Sequence, residues 1–130
     1  MEMILLVQVS GALLGMLAVV FGAFGAHYLK KSLSEAQLLS FETGIRYQFY
    51  HALLLLILGF NLGFTTKLDS YIAWCFIIGT LLFSFSIYLL ILLASKGKRI
   101  RMLGLLTPVG GLLLVAGWAL LLYSFVSDLV

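Results

Sequence analysis

Residues 71–94 read YIAWCFIIGTLLFSFSIYLLILLA, and the seven that follow, Ser95 to Arg101, read SKGKRIR. No acidic or basic side chain interrupts the first stretch. It exceeds the about 20 residues that a helix needs to cross the hydrocarbon core of a bilayer. A water-facing helix would show a charged stripe at helical spacing, and this run has none. Lys96, Lys98, Arg99 and Arg101 then arrive together. The two stretches together predict a membrane-spanning helix that ends in a basic segment.

The pattern recurs on both sides, over about Met3–Ala26, Tyr47–Phe64 and Met102–Ser127, again with no acid or base inside. Composition agrees. Hydrophobic residues make up 63% of the 130, charged residues 10%, and the mean hydropathy is +1.18, whereas a soluble domain carries roughly 25% charged residues. So short a chain has too much surface for its volume to hide that much apolar area from water. The expected fold is an all-α membrane protein: one domain over residues 1–130, a four-transmembrane-helix bundle with spans at about 3–26, 47–64, 71–94 and 102–127. The first run starts at Glu2 without a basic cluster and is too long for a cleaved signal peptide, so it reads as a span.

Basic residues orient such a chain, because those near span ends stay in the cytoplasm. Lys30, Lys31 and Arg46 lie between the first two spans, and Lys96, Lys98, Arg99 and Arg101 between the last two, against Lys67 alone on the other side. Seven against one places loops 28–46 and 95–101 in the cytoplasm and both termini outside, in a multi-pass protein of the plasma (inner) membrane. The +3 charge and pI near 9.2 then point to membrane lipids and anionic headgroups, with no nucleic-acid partner. Tyr71, Trp74, Trp118 and Tyr123 fall toward the outer interface, and Tyr28, Tyr47, Tyr50 and Tyr88 toward the inner one. Leu33-Ser34-Glu35-Ala36-Gln37-Leu38 has the spacing of a capping box with a hydrophobic staple. It predicts a short amphipathic helical segment, starting at about Ser34 and feeding the second span.

Helices in lipid associate through close backbone contact, which small residues permit. The first span carries Gly11, Gly15 and Gly22 at helical spacing, and the fourth carries Gly104, Gly110, Gly111 and Gly117. These positions suit helix packing within one bundle or between partners, so a homo-oligomer or another membrane-protein partner stays open.

Polar side chains inside spans usually face the protein interior. His27, Tyr47, His51, Ser84, Tyr88 and Thr107 fall in the cytoplasmic half, with Thr80 deeper, which suggests a shared polar layer able to hold a lipid or a small apolar ligand. The plainer reading is that the hydroxyls bond to their own helix and that the interfacial rings rest among headgroups. His27 and His51 are candidate haem ligands. Two histidines without a Cys or an acid make a poor zinc site, and no metal or cofactor is expected. No carboxylate lies inside a span, which disfavours a proton relay. Cys75 has no partner for a disulfide, and there is no P-loop, H-E-x-x-H or G-x-S-x-G. The chain therefore reads as no enzyme but a non-enzymatic assembly or interaction module. A small transporter or channel using the His/Tyr/Ser/Thr layer is one alternative, and a redox, haem- or quinone-linked protein using His27 and His51 another.

Gly22-Ala23-Phe24-Gly25-Ala26-His27, Phe41-Glu42-Thr43-Gly44 with Tyr47-Gln48 and His51-Ala52-Leu53, Phe83-Ser84 with Ser86 and Tyr88, and Thr107-Pro108-Val109-Gly110-Gly111 with Gly117-Trp118 resemble, in that order, the motifs of the transmembrane protein 256-like family. The resemblance runs over essentially the whole chain. It implies a four-helix protein of the bacterial plasma membrane and brings no established activity. Its motif positions coincide with the polar layer and add Gly110 to the candidate ligand-binding set. In the family's Phe-Ser-Gly-Ser-x-Tyr pattern this chain has Phe85 at the glycine place, which puts in question any close contact carried over there.

Overall fold

Ser34 starts a helix as its spacing predicts. Its hydroxyl accepts from the Gln37 backbone N–H (3.3 Å) while the Gln37 side chain accepts from the Ser34 N–H (2.9 Å). This computed structural model describes residues 1–127. The C-terminal end, residues 128–130, expected on the outer side, lies outside the described residues. Four long helices follow one another: α1 (Glu2–His27), α2 (Glu35–Asn61), α3 (Lys67–Ser95) and α4 (Arg101–Ser127). A 3-10 turn, Leu29–Lys31, follows α1, and α3 contains a π turn at Leu81–Phe85. Among the described residues there is no strand.

Each reversal has its own chemistry. A second capping box, Thr66 with Asp69 (both bonds 3.2 Å), opens α3 and was not singled out in the sequence. At the far end of α3, Gly97 takes φ +71°. Its N–H donates to Ala94 O (3.0 Å), and that of Lys98 donates to Leu93 O (2.9 Å). This is a Schellman ending, which favours glycine at the left-handed position.

The span boundaries need one correction. The second helix begins at Glu35, runs unbroken past Gly44 and ends at Asn61 rather than Phe64. By length and composition, α1, α3 and α4 are apolar enough to cross a membrane. α2 carries Arg46, Gln48, His51 and Asn61 along its length, and these dilute its apolar character.

The helices pack antiparallel in sequence. α1 lies along α2, and α4 mainly along the first half of α3. α2 and α3 meet between these pairs, so α1 and α4 occupy opposite corners. The core around Val7, Leu14, Leu55, Ile72, Phe76 and Leu114 is fully or nearly fully buried.

The seams advance in alternating steps of four and three. On α1 the buried positions are Val7, Gly11, Leu14, Ala18 and Gly25, and on α4 they are Gly110, Leu114, Gly117 and Leu121. That is the 3.5-residue repeat of left-handed helix packing. It corrects Gly104 in the packing set, because strict steps of four rotate away from such a seam. A side chain on Gly11 would meet the Ala52 carbonyl, and one on Gly117 the Phe76 ring. At Gly15, Gly22 and Gly111 it would find only ordinary contact (3.7, 3.8 and 3.7 Å), and at Gly104 nothing within 4 Å.

Candidate functional site

The same seam on α2 carries polar residues: Gln48 and His51 stand in line with Phe41, Gly44, Leu55 and Leu58, all buried. Gln48 is fully buried and bridges two other helices. Its Nε2 donates to Leu14 O on α1 (2.8 Å), and its Oε1 accepts from the Tyr88 hydroxyl on α3 (2.8 Å). Ser84, inside the π turn, donates to Gly44 O on α2 (2.7 Å). Ser86, two residues on, shares a hydrogen bond with Thr107 of α4 (2.6 Å). The π turn thus sits where α3 contacts α2 on one side and α4 on the other.

His51 is nearly buried, and both its ring nitrogens are engaged. Nδ1 lies 2.7 Å from Tyr47 O, and Trp118 Nε1 lies 3.2 Å from Nε2. A carbonyl only accepts and an indole N–H only donates. Nδ1 therefore carries the proton and Nε2 presents its lone pair to Trp118, which describes a neutral imidazole with no nitrogen left for a metal. Phe76 flanks the His51 ring (centroids 5.6 Å) and the Trp118 ring (5.5 Å). We expect Trp118→Phe to cost about 1 kcal/mol in reversible unfolding from detergent, because it strands Nε2. The half-exposed Trp74→Phe serves as the control and should change little.

The candidate residues separate into groups. Ser84 and Tyr88 bond to α2 at Gly44 and Gln48, and His51 bonds to Trp118 one to two turns further along, whereas Thr107 bonds to Ser86 near the start of α4 and lines the cleft toward the basic loop. His51 lies deeper along the bundle than the others. Ala52 lies beside Gly15, so His51 is level with the middle of α1. Tyr47 is exposed, its ring against Phe83 (centroids 5.0 Å). Gly110 is a packing position, since the Phe83 backbone occupies the space a side chain would need. His27, the exposed last residue of α1, does not join the layer. Gly25 lies beside Phe41, which sets His27 level with about residue 39. At 1.5 Å per residue that is about 18 Å along the axis from His51, too far for the two imidazoles to share an iron. Among the described residues, no group of three or more His, Cys, Asp or Glu comes together to hold a metal.

Gln48 and Trp118 were missed as members of the layer. Gln48 was visible as an uncharged polar residue in step with the apolar seam. Trp118 reads as an interfacial ring, yet its N–H is directed to His51 at mid-length. Thr80 is fully buried on the same stripe of α3, and its hydroxyl has no partner. Phe85, at the family's glycine place, packs edge-on against Phe21 (6.1 Å) and Tyr88 (5.6 Å). Phe21 and Phe41 complete the aromatic surround of Tyr88 (5.3 and 5.1 Å).

Toward the basic loops the helices part. A cleft of about 640 Å³ lies between α2, the last turns of α3 and the start of α4, walled by Ile87, Leu90 and Ala94 and edged by Lys98, Arg99 and Arg101. A second, of about 520 Å³, is lined by Phe21, Phe24, Leu29, Tyr88 and Leu92. A third, of about 430 Å³, lies between the end of α1 and α2, with Lys30, Glu42 and Arg46 at its edge.

The protein family of unknown function DUF423 matches residues 21–111. A UPF0382 membrane protein of Staphylococcus haemolyticus is 41% identical over 116 residues, covering 89% of this chain and 91% of the relative. A UPF0382 membrane protein of Staphylococcus saprophyticus is 41% identical over 113 residues (87% and 90%). The UPF0382 inner membrane protein YgdD of Escherichia coli is 36% identical over 117 residues (88% and 84%). The transmembrane protein 256-like name is a related name for this domain. No solved structure matches.

Proposed function

We propose, from the premise that the chain belongs to the DUF423 family of UPF0382 membrane proteins, that it is a non-enzymatic four-span protein of the plasma membrane that holds an amphiphile at the inner end of its bundle. The fourth span is α2. Its 27 residues extend about 40 Å at 1.5 Å per residue, and Gln48 and His51 face other helices rather than lipid. Loops 28–46 and 95–101, with seven of the eight basic residues, lie in the cytoplasm.

The observation that carries the reading is the contrast between two levels of the bundle. At mid-length the polar groups of Gln48, His51, Ser84 and Tyr88 are engaged by neighbouring helices, as helix-locking groups in a membrane are. At the inner end, a cleft combines an apolar α3 wall with three cations. The layer is thus part of the frame, and a ligand fits below it. A transporter that uses the layer would have to break these bonds, and a haem shared by His27 and His51 is out of reach.

The test is native mass spectrometry of protein extracted gently from its own membrane. The expected result is a defined lipid-range mass retained by the chain, unchanged in His51→Ala. Species at whole multiples of the bare 14.3 kDa chain and nothing else would overturn the reading. Loss of the mass in His51→Ala would return the binding site to the polar layer.

A further inference from the structure

The largest described cleft differs from its neighbours in charge. Lys98, Arg99 and Arg101 line it and no carboxylate does, whereas the cleft at Lys30 and Arg46 includes Glu42. The three cations are delivered by one short segment whose path is set. The Schellman ending at Gly97 turns the chain back on itself, so Lys98 and Arg99 come directly after the turn and Arg101 opens α4. Just below them the α3 wall is apolar, with Ile87, Leu90 and Ala94, while the α2 wall carries Gln37, Ser40 and Thr43. Cations at the headgroup level above a slot with one apolar wall form a receptor for a molecule that is anionic at one end and hydrocarbon at the other. A volume near 640 Å³ is within the range of sites for small ligands.

We propose that this cleft binds one anionic phospholipid, its phosphate held by Lys98, Arg99 and Arg101 and an acyl chain lying along Ile87, Leu90 and Ala94. The assignment rests on the reading that the inner end holds an amphiphile, and it adds the class of lipid and the cleft. A zwitterionic lipid brings its own cation toward three others, so the site favours a net negative headgroup. The competing explanation is that these residues only orient the chain in the membrane. In that case any three cytoplasmic cations would serve equally.

The full chain, in detergent, is titrated by native mass spectrometry with phosphatidylglycerol, with phosphatidylcholine and with glycerol phosphate. Phosphatidylglycerol is expected to bind at one equivalent. The triple variant Lys98→Gln, Arg99→Gln, Arg101→Gln should bind it on the order of a hundredfold more weakly, from the loss of three headgroup-level cations. The matched variant Lys30→Gln, Lys31→Gln, Arg46→Gln loses the same charge from the same face outside this cleft and should bind as the parent does. Ala94→Trp keeps every charge and fills the slot, so it should also abolish retention; it decides the matter should the cleft triple variant fail to fold. Equal losses in the two triple variants would overturn the site in favour of diffuse attraction. Glycerol phosphate binding as tightly as the lipid would make it a site for soluble anions. Phosphatidylcholine binding equally well would overturn the anionic assignment while leaving the amphiphile reading intact. Failure to retain any lipid would remove both.

Discussion

Gly110→Leu is expected to destabilise the bundle by more than about 3 kcal/mol, the upper range for forcing volume into a packed helix contact. A Cβ at Gly110 would sit 2.8 Å from Phe83 Cα and 2.9 Å from Gly79 O, and closer still to the Phe83 nitrogen. These are backbone atoms of the π turn and the residues before it, so no side-chain rotation relieves the clash. α4 would have to move away from α3, exposing Leu114 and Gly117 and pulling Thr107 from Ser86. Gly104→Leu introduces the same residue two turns earlier on α4, where nothing lies within 4 Å, and should stay within about 0.5 kcal/mol, the ordinary range for surface changes. Reversible unfolding in mixed micelles, followed by circular dichroism, reads both. Similar losses in the two variants would mean that α4 does not pack through Gly110.

Gln48→Leu should cost about 2 kcal/mol, because one side chain supplies bonds to two helices and its loss leaves the half-buried Tyr88 without its acceptor. The sign of the rescue is informative. Leaving one partner unsatisfied costs more than removing both, so Gln48→Leu combined with Tyr88→Phe should be about 1 kcal/mol more stable than the sum of the single variants allows. A strictly additive double-mutant cycle would show that the 2.8 Å contact contributes nothing to stability. Ser84 provides a local comparison, since its bond runs to a backbone carbonyl and should show no coupling to Gln48.

Much of this fold is legible in residues that follow simple rules. The uncharged runs and the Ser34–Gln37 capping box locate the helices, since both depend on near-neighbour chemistry. The α2 boundaries are harder to read. Arg46, Gln48 and His51 interrupt its apolar character, and the burial of Gln48 and His51 depends on partners 30 to 70 residues away. The packing glycines are half-legible for a related reason. Small residues four apart catch the eye, but the helices meet along a seam of alternating threes and fours, which favours Gly11 and Gly117, sets Gly15 at its edge and leaves out Gly104. Read with that seam, Gln48 falls in line with Phe41, Gly44, Leu55 and Leu58 and would have been named. Nothing in the residues 81–85 announces a π turn. An amphipathic ring such as Trp118 suits both an interface and a buried acceptor, and only the position of His51 shows where its N–H goes.

The opposite-corner placement of α1 and α4 has a consequence for how the chain is born. α1 and α2 leave the ribosome first and can close on one another, with Gln48 already bonded to Leu14 before α3 exists. The second hairpin closes in the same way, through Ser86 and Thr107. The remaining bonds, Ser84 to Gly44, Tyr88 to Gln48 and Trp118 to His51, each join one hairpin to the other. The first two need only α3, whereas the last must wait for α4, so the meeting of Trp118 with His51 is the step at which two hairpins become one protein.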